Sequence, residues 1–99
     1  MAELLKSSQI RGARAMLNWT RKDLAAAAKI SVGTVEKIEA GNGYVMVGTE
    51  ILLKLHKAFK AAGISFWDDP RANAEGVFWS RDEMGQVVQN IRNIDFQIE

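Results

Sequence analysis

The 99-residue chain has no cysteine, a single proline (Pro70) and a single histidine (His56). Without cysteine there is no disulfide framework and no thiolate nucleophile, which suits a reducing compartment. One histidine leaves no ligand spacing for zinc, and no glycine-rich phosphate cradle or nucleophile–base constellation occurs. No apolar run approaches the roughly 20 residues that a bilayer-spanning helix needs. The opening MAELLKSSQ lacks the basic-then-apolar layout of a signal peptide. His56, beside Lys57 in an apolar-periodic stretch, reads as a surface or rim residue. Asp68-Asp69 before Pro70 reads as turn chemistry rather than a catalytic pair. The expectation is therefore a non-enzymatic, cytoplasmic chain with no cofactor, no metal and no membrane partner.

What is present is a charge asymmetry hidden by a net charge of +1. Residues 1–63 carry ten basic and five acidic side chains, a balance of +5, whereas residues 64–99 carry three and seven, a balance of −4. A basic first part with an acidic tail points to a polyanionic partner for the first part. The chain is short enough that a second subunit is expected to complete its core.

Helix signals are dense in the first two thirds. Ser7 or Ser8 is placed to cap a first helix whose apolar face is Ile10, Ala13, Met16 and Leu17, and Asn18 ends it. Thr20 caps a second helix, with Asp23 reaching back in a capping box and Trp19–Leu24 as a hydrophobic staple. That helix runs to about Ala28. Ser31 then caps a third, with Ile30–Val35 repeating the staple, and Gly41 is the expected left-handed stop. Two capped helices, each too short to stand alone in water, are thus joined by a tight turn at Lys29. Ala25 lets them approach closely, while Ala26 and Ala27 need not face the core.

After a loop marked by Gly41, Gly43 and Gly48, Thr49 is the expected cap of a fourth helix through Ala62. It carries Leu52, Leu55 and Phe59 inward and stops at Gly63. ISFW and GVFW read as strands of a hairpin around DDPRANAE. Ser80-x-x-Glu83 opens a last amphipathic helix with Met84, Val87, Val88 and Ile91 at i, i+3, i+4 and i+7. IDFQI reads as a strand or an arm.

TRKDLAAAAKISVGTVEKIEAG resembles the helix-turn-helix of the phage-repressor-like (XRE-type) DNA-binding family. The matching positions are Leu24-Ala25, Ala28, Ile30-Ser31, Thr34-Val35, Ile38-Glu39 and Gly41. IRGARAMLNWT resembles that family's first helix, and LKLHKAFKAAGISF its closing helix. The resemblance covers Ile10 to Phe66 and implies a mainly α fold. The expected fold is a lambda-repressor-like domain of four to five helices with a short C-terminal β hairpin, followed by a further helix or arm that the resemblance does not reach. Residues 1–63 are expected to be the DNA-binding part and residues 64–99 a dimerisation extension. Three positions depart from the family pattern. Lys29 stands where glycine is usual at the turn, Arg21 where glutamine opens the second helix, and Val32-Gly33 where an arginine often follows the capping serine.

The resemblance implies a sequence-specific regulator of double-stranded DNA, of bacterial or phage type. It acts as a repressor, because so small a chain has no room for an activation domain, and it binds a palindrome as a homodimer. Base reading falls to Val32, Thr34, Glu36 and Lys37 in the third helix. Phosphate binding falls to Arg21, Lys22, Ser31, Asn42 and Tyr44. Gly33 either allows close approach of backbone to DNA or is merely tolerated near the helix start. Arg14 is expected to clamp an acid such as Glu39 inside the fold, and Trp19 to pack rather than stack on a base. Apolar side chains in excess of what four short helices can hide, Phe66, Trp67, Phe78, Trp79, Val88 and Ile91 among them, are expected at the dimer interface. A second reading keeps the scaffold but gives it another protein as its main partner, as in an antitoxin-like or anti-activator module.

Overall fold

The structure is a computed structural model, and it describes residues 4–72 and 74–81. Four helices are followed by two strands: α1 (Ser7–Leu17), α2 (Arg21–Ala28), α3 (Val32–Glu39), α4 (Thr49–Ala61), β1 (Ile64–Asp69) and β2 (Ala74–Trp79). Among the described residues this is a mainly helical fold with one antiparallel hairpin. The expected last helix (Ser80 onward) and the IDFQI segment lie outside the described residues.

Most of the expected caps are present. Asn18 closes α1 in the left-handed region, at φ 57° and ψ 37°. Thr20 Oγ1 accepts from the Asp23 amide at 3.1 Å, and Asp23 Oδ2 accepts from the Thr20 amide at 2.8 Å, completing the box. Ser31 Oγ accepts from the Thr34 amide at 3.1 Å. Three expectations are corrected. The cap of α1 is Lys6, not Ser7 or Ser8, and its free amide is satisfied by Gln9 Oε1 at 2.9 Å. Ser7 is buried, and its hydroxyl donates to the Ile38 carbonyl. The cap of α4 is Gly48, with Thr49 its first helical residue. Gly41 is not a left-handed stop: α3 ends at Ala40 in the right-handed region. The orphan carbonyls at that end are taken by side chains from α1, because the Arg11 guanidinium donates to both Glu39 and Gly41. With its carbonyls bonded in this way, the helix needs no glycine to turn the chain.

The core is built around Phe59, Leu55, Leu24, Ile10 and Val35, all essentially inaccessible. Phe59 stacks on Trp19 at a centroid distance of 6.1 Å and meets Phe66 edge-on at 5.5 Å. This aromatic line ties the start of α2, through α4, to the hairpin. Truncating Phe59 to alanine would remove contacts on both sides, a loss of about 3–5 kcal/mol.

Gly63, at φ 93°, reverses the chain after α4. β1 then pairs with β2 in the register Ile64↔Trp79, Phe66↔Val77, Trp67↔Gly76. Side chains alternate across a strand, so Ile64, Phe66, Val77 and Trp79 share the face that packs on the helices. Trp67 and Phe78 share the other face and are 46% and 44% exposed. The Trp67 indole lies across Gly76, where any side chain would collide with it. At the tip, Asp69 Oδ1 accepts from the amides of Arg71 and Ala72, which is the turn role expected of the Asp pair.

Candidate nucleic-acid interface

The turn between α2 and α3 holds Lys29 at φ 60° and ψ 47°, the left-handed conformation that glycine adopts without strain. The second and third helices meet through Leu24, Ala25 and Ala28 on one side and Val35 and Ile38 on the other, all buried. Ala26 is exposed and Ala27 half-buried, as the helix spacing implies.

With Val35, Ile38 and Glu39 turned inward, the 100° step of the helix turns Gly33, Glu36 and Lys37 outward, and all three are exposed. Thr34 and Val32 flank that face and are half-buried. Ser31 and Thr34 share their hydroxyls at 2.8 Å, so both are oriented by the cap. The space around Gly33 is open; a Cβ there would meet only Ser31 Oγ, at 3.9 Å. Among the predicted base readers, then, Glu36 and Lys37 project freely, while Thr34 and Val32 sit at the shoulders of the same surface.

Glu39 is the fixed point beneath this surface. Its side chain is fully buried and is held by Arg14 from α1, with Nε to Oε2 at 2.8 Å and a second nitrogen to Oε1 at 3.1 Å. This is the clamp expected from the sequence. Arg14 also donates to the Trp19 carbonyl at 2.9 Å, linking it to the start of α2. Arg21 joins the group, its Nε 3.2 Å from Glu39 Oε1, while its side chain stays 48% exposed. The predicted phosphate ligand Arg21 therefore has one nitrogen committed to the scaffold and presents the outer end of its fork. Its neighbour Lys22 is exposed and, like Lys29 and Lys37, makes no ion pair with any described acid.

The loop after α3 is pinned by the N-terminal segment. The Ser7 amide donates to the Gly43 carbonyl at 3.0 Å, and the Val45 amide to the Leu5 carbonyl at 2.7 Å. Lys6 places its ammonium 5.1 Å from the centroid of the Tyr44 ring and 3.1 Å from Glu75 Oε1 of the hairpin. The hydrogen bond that the Lys6 ammonium donates to Glu75 holds it above its ordinary pKa. Tyr44 is half-exposed and lines the same groove as Lys37, and Asn42 is exposed. A shallow groove of about 270 Å³ separates α3 from this loop, lined by Thr34, Lys37, Tyr44 and Met46. Met46 is 90% exposed. Sequence reasoning missed it, because a methionine between two valines carries no signal that it points away from the core.

The predicted interface residues divide. Phe66 and Trp79 lie on the helix-facing side of the hairpin, and Trp67 and Phe78 on the open side. Val88 and Ile91 lie outside the described residues. His56 is half-buried, edge-on to Phe66 at 6.1 Å. Among the described residues no helix is long and apolar enough to cross a membrane.

A helix-turn-helix family model matches residues 10–65, more than half of the chain, from within α1 through α4 to the start of β1. No curated protein and no solved structure matches it.

Proposed function

This chain belongs to the lambda-repressor-like (XRE-type) helix-turn-helix family, whose members bind DNA; from that premise we propose that it is a repressor that reads a palindromic operator as a homodimer. The observation that carries the reading is the exposed line Gly33, Glu36 and Lys37 on α3. These residues are exposed, and the half-exposed Arg21 at the start of α2 reaches Glu39 of α3. A recognition helix needs such a surface to enter the major groove with its N-terminal half.

The roles follow from exposure and donor chemistry. Lys37 donates to guanine O6 and N7, and Glu36 accepts from cytosine N4. Val32 and the Thr34 methyl touch thymine methyls at the shoulders. Gly33 lets the helix backbone come close, which its open surroundings permit. Lys22 and the outer nitrogens of Arg21 hold phosphates on one side of the groove, with Ser31 at the helix N-terminus. Asn42 and Tyr44 hold them on the other, and Met46 lies against the sugars between. The N-terminal segment fixes that loop before DNA arrives, so less order has to be created on binding.

The open face of the hairpin, with Trp67 and Phe78, meets its two-fold mate. Such a pairing covers exposed aromatic surface and the edge groups of a two-stranded sheet. It sets the two recognition helices about 34–36 Å apart, one turn of duplex.

Two single variants separate the roles in anisotropy titrations on a selected operator. Lys22→Ala weakens binding evenly across sequences and flattens the salt slope by about one contact. Lys37→Ala relaxes preference at one base pair, by about 1–3 kcal/mol. If Lys37→Ala leaves the ranking and spacing of all single-base operator variants unchanged, α3 does not read bases through that residue.

A further inference from the structure

Both carboxylate oxygens of Glu75 on β2 are taken by the N-terminal side of the fold. Oε1 accepts from the Lys6 ammonium at 3.1 Å, and Oε2 accepts from the Ser8 hydroxyl at 3.4 Å. The strand is held in place for this by Gln9, buried in α1, whose side-chain amide donates to the carbonyls of Trp67 and Gly76 at 3.1 and 3.2 Å. Those two residues are a register pair, next along the hairpin to Asp68↔Glu75. The Lys6 and Glu75 side chains are 21% and 25% exposed, so water and salt screen the pair only in part. Lys6 also pairs with Tyr44 in an isolated antiparallel bridge. Its ammonium lies 5.1 Å from the centroid of the Tyr44 ring, within the range at which a cation is attracted to an aromatic face. One ammonium therefore connects an acid of the hairpin to the exposed ring of the loop after α3.

We propose that Glu75 is a positioning residue for DNA binding: through Lys6 it fixes the Tyr44 hydroxyl where a phosphate of the operator is met. The inference rests on the proposed role of Tyr44 as a phosphate ligand. A free lysine side chain samples many rotamers, and a ring drawn to its ammonium would sample positions with it. With the ammonium tied to Glu75, the ring is set before DNA arrives, and less order has to be created on binding. The same tie matches the charge of Lys6 with an acid, so Lys6 acts through Tyr44 rather than as a phosphate ligand itself. The hairpin that carries Trp67 and Phe78 thereby bears on the DNA-facing loop of its own subunit. Electrostatics alone points the other way. Replacing Glu75 by a neutral residue raises the net charge by one unit, which by charge alone tightens binding to a polyanion. The two accounts therefore differ in the sign of the effect.

The test uses the full chain and a duplex that the parent protein selects from a random pool. Tyr44→Phe keeps the ring and removes the hydroxyl, and is expected to weaken binding about tenfold. Glu75→Ala is expected to weaken binding of the parent about fivefold, most of that one hydrogen bond. In the Tyr44→Phe background it is expected to change affinity by less than about twofold, because the group it positions is gone. Tighter or unchanged binding of Glu75→Ala overturns the proposal. An equal loss in both backgrounds overturns it as well, since that is the mark of a residue that supports the fold at large. Should Glu75→Ala not fold, Glu75→Gln removes the charge and keeps the length; a smaller loss of affinity is expected, and tighter or unchanged binding again overturns the proposal. Hydrogen exchange without DNA gives a second readout. The Ser7 and Val45 amides, which donate to the Gly43 and Leu5 carbonyls, are expected to exchange faster in Glu75→Ala by about threefold or more relative to those of α4. Unchanged exchange there overturns the proposal. A parent protein that selects no duplex defeats the DNA-binding reading, and with it the role of Glu75 toward DNA, while the exchange result still decides whether Glu75 holds the loop.

Discussion

Lys29→Gly is expected to make the protein more stable, against the usual direction for a glycine replacement. Lys29 is held at φ 60° and ψ 47° between two capped helices, and a side chain in that region costs about 1–2 kcal/mol. Glycine relieves the strain but adds freedom to the unfolded chain, a cost of about 0.4–1 kcal/mol. The net gain is about 0.5–1 kcal/mol, which raises the melting temperature of a chain this size by roughly 2–8 °C. The lysine side chain adds little in return. It is exposed, makes no ion pair with a described acid, and flanks a groove that also holds Lys54 and Lys57. Lys29→Ala is the control, since it removes the ammonium and keeps the strained backbone; it is expected within about 0.5 kcal/mol of the parent. The assay is thermal and urea unfolding followed by circular dichroism at one fixed protein concentration, because dimerisation makes melting concentration-dependent. If Lys29→Gly melts at or below the parent while Lys29→Ala is neutral, the strain argument fails. If both variants stabilise equally, relief of repulsion among the lysines is the cause instead.

Two further outcomes follow from the geometry. Arg14→Ala strands the buried Glu39 carboxylate with Arg21 as its sole remaining cation among the described residues, and is expected to cost about 3–5 kcal/mol in urea unfolding; a loss below 1 kcal/mol contradicts the clamp. Trp67→Asp and Phe78→Asp place a charge on the open face of the hairpin and are expected to give folded monomers by light scattering at micromolar concentration; a parent protein that is itself monomeric, or variants that stay dimeric, count against this face as the interface.

The parts of the fold legible in the sequence are those governed by local chemistry. Thr20 with Asp23, Ser31 with Thr34, and Asn18 act within three or four residues of chain, so their side chains alone announce the helix ends. The left-handed Lys29 is legible through the resemblance, which puts the family's turn glycine at this position, while the two caps show only that Lys29 and Ile30 must turn the corner between Ala28 and Ser31. Gly41 misleads because the end of α3 is completed from a distance, by Arg11 and Ser7 of α1, and long-range hydrogen bonds leave no local pattern. The start of α1 misleads likewise. Ser7 has the composition of a cap but is drawn inside to bond Ile38, and Gln9 does the capping from the third position. In the candidate site, Lys37 and Glu36 follow from helical periodicity once Val35 and Ile38 are placed inward. The second engagement of Arg21 with Glu39 does not, since it depends on how α2 crosses α3. The exposure of Met46 depends on the path of a loop pinned by the N-terminal segment, and hydropathy points the other way.

The central claim, that this helix-turn-helix reads a two-fold symmetric DNA site, is tested most directly by selection of bound duplexes from a random pool with the purified protein. The account predicts enrichment of one palindromic motif with half-site centres about 10 base pairs apart, lost when Lys37 and Glu36 are both replaced by alanine. Recovery of sequences without a shared motif, at an affinity that depends on salt alone, would contradict it.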